Sequence, residues 1–129
     1  MTSYLLDTHS LLWFMAGDER LSLRAREVME DVENDLLLST VSLWEIAIKV
    51  SLGKLPLNEP YETLIPRQLR QLGIGVVQPE ITDYVAVTKL PFHHRDPFDR
   101  LIIAQALQRE LPIVGRDSSF GAYGVQMEW

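Results

Sequence analysis

The chain has 129 residues, 47% hydrophobic and 23% charged, with no cysteine and a formal net charge of −6. That length suits one folded domain over residues 1–129, with a core large enough to need neither disulfides nor a structural metal. The absence of cysteine excludes disulfide frameworks, thiolate zinc sites and cysteine nucleophiles, and fits a reducing cytoplasm.

In chain order, Ser3–Leu6 reads as a buried strand running into Asp7. The opening MTSYLLDTHSLLW lacks a basic n-region and does not read as a signal peptide, and no apolar run approaches the ~20 residues of a membrane span. Thr8–Ala16 reads as a helix with Thr8 as its N-cap. Ser22–Glu33 is an amphipathic helix whose stripe is Leu23, Ala25, Val28, Met29 and Val32. Asp35–Ser39 contains the strand Leu36-Leu37-Leu38, and Val41–Leu52 is a helix ended by Gly53. Tyr61–Leu72 is a further helix, closed by Gly73 and kinked or broken by Pro66. Ile74–Val77 is a strand, and Glu80–Lys89 a helix capped near Thr82. Pro97–Glu110 is a strong helix, Pro112–Val114 a strand, and Val125–Met127 a short last strand.

Short all-apolar strands separated by helices predict an α/β fold with a parallel sheet covered on both faces. Such sheets hold ligands at the carboxyl ends of their strands. Asp7 directly follows the first strand and Asp117 follows the strand at Pro112–Val114, so the two can meet although 110 positions separate them.

Four carboxylates invite a common role, and each also has a local structural explanation. Asp7 stands at a helix start, where an acid stabilises free backbone amides. Glu45 lies in VSLWEIAIKV, a helix apolar nearly all round and therefore expected to be buried on most sides, where a carboxylate must be paired or bind a cation. Its structural alternative is an i,i+4 pair with Lys49. In HHRDPFDRLIIAQAL, Asp96 reads as the N-cap, Pro97 as the first helical residue and Asp99 as a dipole-favouring acid at N3. Asp117, in PIVGRDSSF, reads locally as a turn or cap residue. Packed together, the four would repel one another unless a cation neutralised them. Oxygen-only ligands select hard cations such as Mg2+ or Mn2+. His93 and His94 are adjacent, so their rings diverge, and His9 reads as a surface or packing residue.

These segments identify a resemblance. YLLDTHSLLW, SLWEIAIKVSLGKL, HHRDPFDRLIIAQAL and PIVGRDSSF, in this order and over nearly the whole chain, resemble the PIN-domain nucleases and specifically the VapC-type toxins of prokaryotic toxin–antitoxin pairs. Asp7, Glu45, Asp99 and Asp117 fall on the family's four acidic positions. The run Gly115-Arg116-Asp117 departs from the family's usual threonine near the strand end, and Ser118 or Ser119 is the candidate replacement hydroxyl. The resemblance implies a three-layer α/β/α sandwich with a central, mainly parallel sheet. It also implies a metal-dependent endoribonuclease, a cognate antitoxin and a homodimer. On this reading Asp7, Glu45 and Asp99 hold the main ion, and Asp117 joins directly or through water. Arg95, Arg100 and Arg116 are candidate contacts to the RNA backbone, and an antitoxin offers an arginine to the acidic pocket.

The −6 balance counts against a partner held by phosphate neutralisation alone, unless basic patches or bound cations reverse the local field. The charge is uneven: residues 1–35 hold eight carboxylates against Arg20, Arg24 and Arg26. Two rival classes share the fold class. A phosphoacceptor signalling domain needs a lysine at a late strand end, a place none of Lys49, Lys54 and Lys89 occupies. A non-catalytic binding module is disfavoured by the intact acid set. No G-x-G-x-x-G follows a strand, which excludes a dinucleotide enzyme. Of the large apolar residues Trp13, Phe14, Trp44 and Tyr61, most are expected in the core.

Overall fold

The computed structural model of the chain describes residues 2–129. Strands β1 (Ser3–Leu6), β2 (Asp35–Ser39), β3 (Ile74–Val77), β4 (Ile113–Val114) and β5 (Met127–Glu128) form one sheet in the order β3-β2-β1-β4-β5. All four pairings are parallel. The helices are α1 (Thr8–Ala16), α2 (Leu23–Glu30), α3 (Thr40–Ser51), α4 (Tyr61–Gln71), α5 (Ile81–Lys89), α6 (Pro97–Arg109) and the single turn α7 (Ser118–Gly121).

Strand alternation makes the three layers. On β1, Tyr4 and Leu6 face one core with Leu11, Val28, Met29 and Ile65, while Leu5 faces the other with Ile102, Ile103 and Phe120. On β4, Val114 joins the first core and Ile113 the second. Consecutive apolar residues are needed because both faces of each central strand are dry. The expected α/β/α sandwich is therefore present.

Several local expectations change. Thr8 does not cap α1: Asp7 occupies the N-cap position, and the Thr8 hydroxyl turns inward. Helix α2 is shorter than expected, with Ser22 Oγ accepting the Ala25 N–H at 3.0 Å, and Val32 lies beyond it, 93% exposed. Helix α5 is capped at Glu80 rather than near Thr82, through a reciprocal box in which Asp83 Oδ2 accepts the Glu80 N–H at 2.7 Å. Helix α4 runs through Pro66. Pro66 is exposed, so the carbonyl it leaves without a helical partner is open to water. Helix α3 is not buried all round. Val41, Ser42, Glu45 and Ile46 form its buried face, whereas Trp44 is 63% exposed. Trp13, Phe14 and Tyr61 pack at the core margin.

Candidate metal centre

Strand β1 is central and β4 is its neighbour, so the residues after each strand meet at one edge of the sheet. Asp7 donates its backbone N–H to Val114 O at 3.1 Å, and Ser10 Oγ donates to the same carbonyl at 2.8 Å. This ties the start of α1 to the end of β4. Gly115 then passes so close that a Cβ there would lie 3.0 Å from Asp7 Cβ and 3.3 Å from Met127 Cε. Any side chain here would require Asp7 or Met127 to give by a few tenths of an ångström.

Asp99 reaches the same edge from α6. Asp96 caps that helix as expected, its Oδ1 accepting the Asp99 N–H at 3.1 Å, which leaves the Asp99 side chain for another role. Asp117 starts α7. Its Oδ1 accepts from Ser119 N at 3.0 Å and from Ser119 Oγ at 2.6 Å, so Ser119 holds one oxygen of Asp117. Asp7, Asp99 and Asp117 line one pocket of about 460 Å³ together with His9, Trp13, Arg116 and Ser118.

Glu45 is buried beside this pocket but does not line it. Its Oε2 accepts from Lys49 Nζ at 2.9 Å, the i,i+4 pair weighed from the sequence. Thr8 Oγ1 lies 2.9 Å from Glu45 Oε1 and 2.7 Å from Ser42 Oγ. The single Thr8 proton goes to the charged acceptor, so Ser42 donates to Thr8 in turn. Both oxygens of Glu45 are thus occupied by protein donors.

The acids feel each other. Burial, then the charge of Glu45, raises Asp7 to about 6 from the ordinary 3.8. Burial, then the charges of Asp96, Asp7 and Glu45, raises Asp99 to about 8. For Asp117, burial acts upward but is outweighed by the Ser119 hydrogen bonds and by His94, and the carboxyl lies below the usual range.

His94 is the residue that the sequence reading passed over. The two rings do diverge: His93 stacks edge-on against Tyr123 at 4.9 Å, and His94 turns into the site. Its Nε2 lies 3.0 Å from Asp99 Oδ2 and 3.4 Å from Asp117 Oδ2. Its Nδ1 accepts the Asp96 N–H at 3.1 Å. A ring nitrogen that accepts an N–H carries no proton, so the proton sits on Nε2 and points at the carboxylates. His94 therefore turns its Nε2 side toward Asp99 and Asp117. The signal available in the sequence was its position two residues before the Asp96 cap.

The three arginines separate. Arg95 is exposed. Arg100 is a correction, because it is only 6% exposed and cannot reach RNA. Its guanidinium donates to the carbonyls of Pro91 (2.8 Å), Val87 (3.2 Å), Leu90 (3.3 Å) and His94 (3.4 Å) and to Tyr123 Oη (3.2 Å). It pins the loop between α5 and α6, which carries His94. Arg116 lies at the pocket, its guanidinium 4.7 Å from the centre of the Trp13 ring.

Three carboxylates therefore share an open pocket, and among the described residues no lysine or arginine is paired with any of them. The Asp99 and Asp117 carboxylates and a ring nitrogen of His94 offer ligand atoms within 4.8 Å of one another, with Asp7 lining the same pocket, and the carboxylate oxygens suit a hard divalent cation.

A parallel α/β/α domain with acids converging at the ends of adjacent strands defines the class, and the comparisons agree. The PIN-domain pattern matches residues 4–125, and the chain belongs to the PIN-domain family. Two relatives from Mycobacterium tuberculosis refine this. Ribonuclease VapC22 is 32% identical over 120 residues, covering 91% of this chain and 88% of its own. Ribonuclease VapC16 is 48% identical over 48 residues, so that the match spans 37% of this chain and about a third (34%) of that relative. Among solved structures, VapBC2 from Rickettsia felis bound to a promoter DNA fragment superposes with a TM-score of 0.73 at 14% identity, over 98% of both chains. VapBC-5 from M. tuberculosis, a member of the VapBC family of toxin–antitoxin systems, gives 0.62 at 16%, again over 98% of both chains. At those identities the structures speak for the fold alone.

Among the described residues no helix is long and apolar enough to cross a membrane.

Proposed function

We propose that this protein is a divalent-metal-dependent endoribonuclease, the toxin of a prokaryotic toxin–antitoxin pair, that hydrolyses RNA phosphodiester bonds at the carboxylate pocket. The observation that carries the reading is the convergence of Asp7, Asp99 and Asp117 on one pocket without a cationic partner, in a chain whose full-length relative is a VapC ribonuclease. These three carboxylates hold Mg2+ or Mn2+. Glu45 completes the acidic set from behind Asp7, adding its charge while Thr8 and Lys49 hold its oxygens. A bound cation would polarise the phosphate and acidify an attacking water. His94 and Ser119 keep Asp99 and Asp117 aimed, so no reorganisation is required when substrate arrives. Arg116, at the pocket, and Arg95, exposed nearby in sequence to His94, contact the phosphates on either side. No side chain is needed as nucleophile.

The toxin role carries a protein partner, an antitoxin that offers a cationic side chain to the pocket. An apolar solvent face on α5, formed by Ile81, Tyr84 and Val85, supports a self-association surface. Incubating the purified protein with RNA in Mg2+ or Mn2+ and then in excess EDTA tests the activity. Metal-dependent internal cleavage, lost in Asp99→Asn while the fold survives, is the expected result. Cleavage that persists in EDTA, or in that variant at the wild-type rate, refutes the site.

A further inference from the structure

The wall facing the acids has a chemistry of its own. Two short segments build both sides of the pocket. The one after β1 supplies Asp7 and then His9 and Trp13, four residues apart on one face of α1. The one after β4 supplies Asp117 and, just before it, Arg116. Trp13 is fixed from several sides: Trp129 meets it at 5.9 Å and 65°, and His9 lies at 5.5 Å. Two guanidiniums lie against it, Arg116 at 4.7 Å and Arg20 at 5.1 Å.

These two arginines differ in what remains to them. Arg20 forms a pair with Asp18, its Nη2 2.7 Å from Asp18 Oδ2. Arg116 makes no ion pair among the described residues, although Asp117 is the next residue and three carboxylates share its pocket. Its guanidinium carbon instead lies over the Trp13 ring, within cation–π range. The result is an exposed cation held over an aromatic ring at the pocket.

We infer that Arg116, held over Trp13, is a stacking shelf for one nucleobase next to the phosphodiester that is cut, so that this one side chain sets the contribution of that base. The inference rests on the nuclease reading above. A planar cation offers a nucleotide two contacts at once, its face to the base and its edge N–H groups to a phosphate. A free phosphate would use only the edge, and a duplex withholds its base faces because they are stacked on one another. A position beside the carboxylates places the stacked base within a nucleotide of the scissile bond.

The test begins by locating cut sites in a mixed RNA pool and synthesising a short oligoribonucleotide across one of them. Wild type and Arg116→Ala are compared on this strand, on its duplex with a complementary strand, and on copies in which each nucleotide near the cut is abasic. One abasic position should lower wild-type kcat/KM by about tenfold, within the range stacking of one base contributes. The loss should fall mainly on KM. In Arg116→Ala the same abasic substitution should add little, because the shelf is already gone. Arg116→Lys, which keeps charge but not the plane, should recover less than half of the loss. Since Trp13→Ala can disturb packing, Trp13→Phe serves as the second variant and should reproduce part of the Arg116→Ala effect.

Equal cleavage of strand and duplex overturns the inference, as does an abasic penalty that is undiminished in Arg116→Ala. So does an Arg116→Ala effect confined to capture of a protein partner. A companion experiment keeps this separate from the nuclease reading. Anisotropy of the fluorescein-labelled oligonucleotide is measured in Asp7→Asn and in Asp7→Asn with Arg116→Ala. Arginine-dependent preference for the intact strand over the abasic one, with wild-type cleavage that persists in excess EDTA, upholds the shelf and refutes the metal-dependent site. Wild-type cleavage that EDTA abolishes, with no such preference, does the reverse.

Discussion

Replacing Asp7 by Asn removes one buried charge and leaves the shape of the side chain nearly unchanged. Asp7 is 7% exposed, and its carboxyl is raised to about 6 from 3.8, first by burial and then by Glu45. That difference is worth about 3 kcal/mol between the protonation states. The sign follows from linkage: the folded state binds the proton more tightly than the unfolded one, so ionisation destabilises the metal-free fold. Below about pH 3.8 both states are protonated and the penalty is absent. It grows as pH rises from about 3.8 to 6 and is complete above 6. In EDTA at about pH 8, Asp7→Asn should therefore be more stable than wild type by up to about 3 kcal/mol, or roughly 10 °C in Tm for a chain of this size. The advantage should vanish near pH 3.5. Adding metal should reverse the order, because a cation at a thousand times its Kd stabilises wild type by about 4.1 kcal/mol and the variant far less. Urea unfolding across pH, with and without Mn2+, reads all of this. An Asp7→Asn variant that is equally destabilised at every pH in EDTA would refute the account of Asp7 as a buried charge waiting for a cation.

Other outcomes follow from neighbouring geometry. Arg100→Ala should cost about 3–5 kcal/mol in urea unfolding, because it orphans a fan of buried carbonyls. Gly115→Ala should drive a methyl against Asp7 and Met127, weakening Mn2+ binding by calorimetry about tenfold or more while costing about 1–3 kcal/mol in stability. Lys49→Met leaves Glu45 buried without its cation, and about 1–2 kcal/mol of stability should be lost, discounted because Lys49 is itself a third exposed. Since Asp99 is raised to about 8 and Asp7 to about 6, metal binding at neutral pH should release protons. Mn2+ titrations in two buffers of different ionisation enthalpy measure that release, and affinity should rise from pH 6 to 8.

The strands were legible because buried parallel strands leave an unmistakable mark, as in Tyr4-Leu5-Leu6 and Leu36-Leu37-Leu38, apolar on both faces. Their order placed Asp7 and Asp117 at one edge before any coordinates. What composition could not convey was the direction of single side chains. Arg100 and Arg116 look alike in the sequence. One caps a set of carbonyls inside the α5–α6 loop, and the other lies on Trp13 beside the pocket. Thr8 was legible as a helix-start residue but not as a donor to Glu45, since its partner comes from 37 positions away. His94 was discounted for having a neighbour of the same type, and its role depends on a backbone amide, that of Asp96, which carries no sequence signature. Helix α3 read as buried on most sides because an apolar residue reports affinity for a core, not whether one is within reach: Trp44 meets Phe98 edge-on and otherwise faces solvent.

The place of β1 in the sheet has a consequence for synthesis. Its two neighbours arrive at very different times. Strand β2 follows within thirty-odd residues, whereas β4, with Gly115 and Asp117 behind it, comes more than a hundred residues after β1. Until then β1 has one unpaired edge, Asp7 has no wall beside it, and the third carboxylate does not exist. A growing chain thus cannot assemble the pocket until β4 and Asp117 have been made. The centre appears only when β4 closes the sheet beside β1, so every shorter length of the chain lacks it.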